Sequence, residues 1–273
     1  MNQVFFRGKW QPEQFVSIPI TNRSFRYGDG LFESFRLVNG HWVFKKYHWE
    51  RFIDGCEALK YEVPSKACTD IQKALAILDS NKNFRIRLQA WRKGKGKYTP
   101  QSNEIEWLLE AHEKKKGSWS LSKKGLKIDF ARRGIPKHSL TPFKTSNALD
   151  YVLGSLERKK RNLDDLLFCN EDGDIVEGCH SNVFCLIDGK LLTPTLKSGC
   201  LNGIIRRVLL NENSDQLKIR EKRLRRKHIL SADEIWMTNS IQGIMWVKKL
   251  GKRKYGNELA KKWVKKLNTL SKD

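Results

Sequence analysis

Apolar and polar positions alternate along much of the first hundred residues. Leu31-Phe-Glu-Ser-Phe-Arg-Leu-Val38 alternates, Asn39-Gly40 supplies a turn, and His41-Trp-Val-Phe44 returns, which predicts a β-hairpin. Val16-Ser-Ile-Pro-Ile20 reads as a short strand before it. His48 to Leu59 and Thr69 to Leu78 carry helical apolar spacing. Asn83 to Trp91 reads as a strand in which Arg85 and Arg87 alternate against Ile86 and Leu88, and Glu104 to Glu110 as another. His112-Glu-Lys-Lys-Lys-Gly-Ser118 is charged, lacks an apolar period and ends in Gly-Ser, so it reads as a linker.

Beyond that point Leu126–Phe130, Asp165–Cys169, Val183–Ile187, Lys190–Thr193 and Glu234–Thr238 read as strands, with Asp172-Gly173 and Asp188-Gly189 as turns. Helical spacing covers Ser146 to Arg161, starts again at Gly203 and runs to Leu210, and closes the chain over Glu258 to Leu267, where Leu259, Trp263 and Leu267 share a stripe. The pattern predicts an α/β (α+β) protein with a small N-terminal α/β domain, 1–115, and a larger C-terminal domain, 119–273.

Composition narrows the class. A chain of 273 residues, 39% hydrophobic and 30% charged, can bury a substantial core and is not of disordered type. No apolar run is long enough for a membrane span, and Met1 to Gly8 has no secretory pattern. The six cysteines are scattered without metal-binding spacing, which predicts reduced thiols, a cytoplasmic protein and no metal. A net charge of +23 raises nucleic-acid binding, but the basic clusters are spread from Arg92–Lys97 to Lys261–Lys266 and define no single module. A solvated basic surface that steers a small anionic substrate is the favoured reading, and nucleic acid is not the expected partner.

Two segments carry candidate chemistry. Thr141-Pro-Phe-Lys-Thr-Ser-Asn147 sets Lys144 between an apolar stretch and a small polar turn. Gly173-Asp-Ile-Val-Glu-Gly-Cys-His-Ser-Asn-Val-Phe184 carries Glu177, the only acid between Ile175 and Ile187, a run otherwise mostly apolar or small. Glu177 is either an exposed turn acid or a buried carboxylate with a charged partner. An amine and a carboxylate are what pyridoxal phosphate chemistry needs: one to form a Schiff base, the other to keep the pyridine nitrogen protonated. Leu201-Asn-Gly-Ile-Ile-Arg206 puts a glycine and two following amides at a helix start, Thr238-Asn-Ser240 ends a strand in small polar side chains, and Arg51 could add charge, all suited to a phosphate. Arg87, and Arg85 beside it, either grip a substrate carboxylate or face outward from their strand.

In order along the chain, Arg26-Tyr-Gly-Asp-Gly-Leu-Phe-Glu33, His48-Trp-Glu-Arg51, Lys144-Thr-Ser-Asn147, Glu177-Gly-Cys-His-Ser-Asn182, Leu192-Thr-Pro194 with Gly203-Ile-Ile-Arg206, and Thr238-Asn-Ser240 resemble one family over nearly the whole chain: the fold type IV pyridoxal phosphate enzymes, or class IV aminotransferases. The family includes branched-chain and D-amino-acid aminotransferases and aminodeoxychorismate lyase. The resemblance implies two domains with the cofactor between them, a barrel-like sheet in the larger one, and a homodimer. It implies Lys144 as Schiff-base lysine and acid/base, Glu177 at the pyridine nitrogen, and Asn182 supporting the ring's surroundings. Arg51, Ser240 and the backbone amides of Ile204 and Ile205 would hold the phosphate, with Tyr27 lining the substrate side.

The spacing Lys144-x-x-Asn147-x-Leu149, the segment Arg92 to Tyr98 and Asn239-Ser-Ile-Gln-Gly-Ile244 resemble the lyase branch. Phe32-Glu33-Ser34 departs from it, since the lyases favour threonine at the last position; Ser34 keeps the hydroxyl, and Glu33 is expected of an aminotransferase. The resemblance therefore implies an aminodeoxychorismate lyase of folate biosynthesis or, as the alternative, an amino-acid transaminase on the same scaffold.

Overall fold

The computed structural model describes residues 3–212 and 217–272. The chain divides into two compact units: the residues up to Gly117 together with Phe143–Asn147, and Ser118–Pro142 together with Ala148 onward. The second unit is thus interrupted by a short segment, Lys144 included, that folds with the first.

In the first unit the strands are β1 (Gln3–Phe6), β2 (Lys9–Pro12), β3 (Gly30–Val38), β4 (His41–Trp42), β5 (Asn83–Arg92) and β6 (Ile105–Lys114), and the helices α1 (Arg23–Tyr27), α2 (Lys45–Ala58) and α3 (Ala67–Ala76). They form one antiparallel sheet in the order β2-β1-β6-β5-β3-β4. Asn39 and Gly40 at the β3–β4 turn both have positive φ, 48° and 76°, the geometry whose twist matches a two-residue hairpin. The alternation of β3 and β5 separates the faces. Phe35, Leu37, Ile86 and Leu88 pack with Phe52 and Cys56 of α2 and Ile71 and Leu75 of α3. Phe32, Ser34, Arg85, Arg87 and Gln89 occupy the opposite face.

Three expectations need correction. Val16–Ile20 forms no strand: Pro19 has no N–H to donate, and Ile18 and Ile20 are 40% and 75% exposed. The first residues of the expected linker are strand, because β6 runs to Lys114 and pairs Lys114, Glu113 and His112 with Asn83, Phe84 and Arg85; charge at a strand end does not stop a ladder that its neighbour continues. The helix expected from Ser146 begins only at Leu149, since the Ser146 N–H donates to the Gly30 carbonyl at 2.8 Å.

In the second unit the strands are β7 (Leu126–Phe130), β8 (Asp165–Cys169), β9 (Ile175–Gly178), β10 (Asn182–Ile187), β11 (Lys190–Thr193), β12 (Lys218–Glu221), β13 (Glu234–Asn239), β14 (Gly243–Leu250) and β15 (Arg253–Lys254). They build a curled, half-barrel sheet in the order β12-β11-β10-β13-β14-β7-β8-β9, with β15 on β14. The β11–β12, β14–β7 and β7–β8 pairs are parallel and the rest antiparallel. Helices α4 (Leu149–Lys160), α5 (Ile204–Asn211), α6 (Arg226–Ser231) and α7 (Glu258–Leu270) accompany it. α7 buries Ala260, Trp263, Val264 and Leu267, while Leu259 of the expected stripe is half-buried. Among the described residues no helix is long and apolar enough to cross a membrane.

Candidate active site

Lys144 is fixed by backbone pairing. Its carbonyl accepts the Phe32 N–H at 2.8 Å, Thr145 bridges to Leu31, and the Ser146 hydroxyl bonds those of Ser24 at 3.0 Å and the Gln89 amide at 3.0 Å. An isolated bridge and these hydrogen bonds therefore hold the segment beside β3. The Lys144 ammonium lies 4.7 Å from the centre of the Phe32 ring, and the Arg87 guanidinium 3.8 Å from that same centre. Ser34 stands directly across the ladder from Arg87, so hydroxyl and guanidinium share a face. Arg87 also donates to Gln89 Oε1 at 2.7 Å and sits 3.8 Å from Glu110.

Beneath this face lies a buried charged cluster. Glu33, 1% exposed, accepts from Arg51 Nε at 2.8 Å and Nη2 at 2.7 Å, and from His48 Nδ1 at 2.7 Å. Burial alone would raise the Glu33 pKa; the Arg51 guanidinium and the His48 bond outweigh it and bring it down to about 2. Burial lowers the pKa of His48, with Arg51 and Lys144 acting in the same sense, so its neutral ring donates to Glu33. Arg51 is thereby anchored to Glu33 through Nε and Nη2.

Tyr27 ends α1, its ring 5.7 Å from that of Tyr98 and 5.2 Å from the Arg23 guanidinium. A second cluster, absent from the sequence reading, secures this region. Asp29 accepts from Arg23 at 2.7 Å, Arg92 at 3.1 Å and Tyr61 at 2.9 Å, and Arg23 also donates to the Lys97 carbonyl at 2.7 Å. It ties the Gly-rich segment before Tyr98 to the end of α1.

In the second unit Glu177 is on β9 and 3% exposed. Its burial rules out an exposed turn acid. Tyr151 donates to it at 2.6 Å, the Leu201 N–H at 3.1 Å and the Asn182 amide at 3.3 Å. Burial, and then the Glu177 charge, push the Tyr151 pKa up, so the phenol stays a donor. Nothing in the sequence around Tyr151 signals this role; it comes from the packing of α4 on β8. Asn182 also donates to the Leu201 carbonyl at 2.8 Å and so orients the loop entering α5.

Gly203 is the N-cap of α5, which has no side-chain cap, so the first-turn amides of Ile204 and Ile205 are open to an anion. Ser240 is half-buried in the turn after β13, where the Asn239 carboxamide accepts the N–H groups of Ile241 and Gln242 at 3.0 and 2.7 Å. The Thr238 hydroxyl, opposite Asn182 in the β10–β13 ladder, is buried without a hydrogen-bond partner among the described residues. A buried acid, an uncapped helix start and an orphaned hydroxyl in one unit fit a group with a basic ring nitrogen, polar substituents and a phosphate. Cys179 and Cys200 are buried free thiols, each pushed up to about 12 by burial.

Residues 30–250, which carry both the backbone-pinned lysine and the donor-fixed buried glutamate, match the family model of the class IV amino-transferases, and the chain belongs to that family. Its members are pyridoxal-phosphate-dependent transaminases or lyases. The chain is 28% identical over 262 residues to the aminodeoxychorismate lyase of Bacillus subtilis, covering 93% of this chain and 89% of that protein. It is 26% identical over 274 residues to a protein called a probable branched-chain-amino-acid aminotransferase of Aquifex aeolicus, covering 94% and 87%. Its fold is similar to that of 4-amino-4-deoxychorismate lyase from Pseudomonas aeruginosa, with a TM-score of 0.82 at 21% identity over 97% of each chain.

Proposed function

We propose that this chain is a pyridoxal phosphate enzyme of the lyase branch, converting aminodeoxychorismate to 4-aminobenzoate and pyruvate in folate biosynthesis, as a homodimer. The observation that carries the reading is Ser34 opposite Arg87 on the sheet face where the Lys144 ammonium lies. Pyridoxal phosphate, when bound, withdraws electrons and acidifies the substrate carbon beside the nitrogen. Lys144 is the amine that carries the cofactor and the base that takes that proton. Arg87 grips a carboxylate of the substrate through a fork of parallel N–H donors. The Ser34 hydroxyl, on the residue paired with Arg87 in the ladder, can protonate the departing enolpyruvate, which the lyase requires and a transaminase does not. Glu177, held by three donors, keeps the ring nitrogen protonated; Asn182 aligns Glu177. Arg51, Ser240 and the amides of Ile204 and Ile205 hold the phosphate, and Tyr27 lines the substrate side.

One feature favours the transaminase reading: Glu33 occupies the position where aminotransferases carry an acid, and it is ion-paired to Arg51. Product analysis separates the two. Given aminodeoxychorismate, the protein is expected to release 4-aminobenzoate and pyruvate in equal amounts. Lys144→Ala should abolish this while circular dichroism stays unchanged, and Ser34→Ala should slow it by about a hundredfold, the size of a typical general-acid contribution. Release of 2-oxoglutarate from glutamate, with no 4-aminobenzoate formed, would replace the lyase with the transaminase.

A further inference from the structure

The activity proposed above makes no use of a cleft of about 530 Å³ in the second unit. Arg132 and Arg133, from the loop after β7, and Arg225, Arg226 and Lys227, from the entry to α6, line it together, with Glu171 the one carboxylate among the described residues on its wall. Segments far apart in sequence thus bring five cations to one place. Local neutralisation is incomplete. Arg133 reaches Asp150 at 3.5 Å, and Arg225 reaches Asp174 at 3.6 Å, but Asp174 is already engaged by Arg223 at 2.7 Å. Arg132 and Lys227 make no side-chain hydrogen bond or ion pair among the described residues. Arg226 is held with its guanidinium 4.7 Å over the Phe130 ring, which orients its donors without consuming them. The field is felt nearby: burial first, then Lys222, Lys227 and Arg225, depress the pKa of His228.

Like charges gathered this closely repel unless an anion joins them. The charge is shared by five side chains from two segments lining a cleft of about 530 Å³, more than a single carboxylate or phosphate can satisfy, whereas linked phosphates offer oxygens to several of them. Preoriented guanidinium forks match phosphate oxygens in pairs. We propose that this cleft binds a chain of two or more phosphates, either free polyphosphate or the phosphate tail of a nucleotide.

The test is calorimetric titration of the protein, saturated with pyridoxal phosphate, with inorganic tripolyphosphate at about 0.15 M salt, where diffuse surface attraction is screened. One equivalent is expected to bind. Arg132→Ser with Lys227→Ser, both exposed and unpaired, should weaken binding about tenfold or more, the scale of two lost charge-assisted contacts. Lys262→Ser with Lys265→Ser, exposed on α7, removes the same charge elsewhere and should leave affinity within about twofold. ATP binding more tightly than tripolyphosphate identifies the nucleotide as the source; equal binding identifies the phosphates alone. Equal losses in both double variants, inorganic phosphate binding as well as tripolyphosphate, or no saturable binding would overturn the proposal. A single-stranded oligonucleotide binding more tightly than tripolyphosphate, and weakened by the cleft variant, would overturn it in favour of a nucleic-acid surface.

Discussion

Glu33 stands at a core-facing position of β3, between Leu31 and Phe35, and only its partners make that tolerable. A buried carboxylate left alone would take up a proton; Arg51 and His48 hold it ionised. Its pKa is depressed from an ordinary value of 4.5 to about 2. Unfolded chains then bind more protons than folded ones in that range, so the stability Glu33 contributes is complete above 4.5 and is lost as pH falls toward 2. His48, lowered from 6.5 by burial, acts in the same direction: its contribution is complete above 6.5 and erodes as pH falls below it. Glu33→Gln leaves Arg51 without its counter-charge and should cost about 3 kcal/mol at neutral pH. Urea midpoints measured from about pH 7 to about pH 3 should show wild type and variant converging in the acid range; a constant gap would mean that the carboxylate is not held ionised by folding. The sequence contains the sign of this cluster, an acid on the apolar side of a clean alternation, and likewise Glu177 as the lone acid in its run. Which side chains answer those acids is not legible, because Tyr151 and His48 reach them through packing between elements.

At the scale of elements the same division holds. The β3–β4 hairpin, β5 and α2 follow from alternation, a two-residue turn and helical spacing, all local signals. β1, β2 and β14 are not legible that way: β1 and β2 have four residues each, and β14 mixes apolar residues with Lys248 and Lys249 as it passes from the core to the surface. The helix start at α5 shows how close the elements must come. A Cβ at Gly203 would lie 1.7 Å from Asn182 Oδ1, so β10 and α5 fit only because the residue is glycine. Gly203→Ala should therefore lower stability by about 1–3 kcal/mol, the usual cost of overpacking. Asn182→Ser, which shortens the opposing side chain, should recover most of that loss in the double variant. If the two losses simply add, the close approach is not the cause.

For the whole molecule, family membership is legible from motifs in order across the chain, whereas the +23 charge has meaning only at this scale. So large an excess of one sign opposes compaction, since every added cation raises the potential the others feel. Salt screens this repulsion, but it also screens attractive pairs, so the sign of its effect depends on where each kind sits. The attraction of Glu33 with Arg51 is buried and little screened. Exposed pairs such as Lys82–Glu113 and Lys93–Glu104 contribute little to begin with. Repulsion among the surface lysines and arginines is exposed, unbalanced and long-ranged at low ionic strength, so it is the part that salt removes. Raising sodium chloride from about 0.02 M to about 0.3 M, which shortens the screening length from roughly 20 Å to roughly 6 Å, should therefore raise the melting temperature by several degrees. A melting temperature that falls over the same range, in a scanning experiment at constant pH, would mean that surface ion pairs outweigh the net charge.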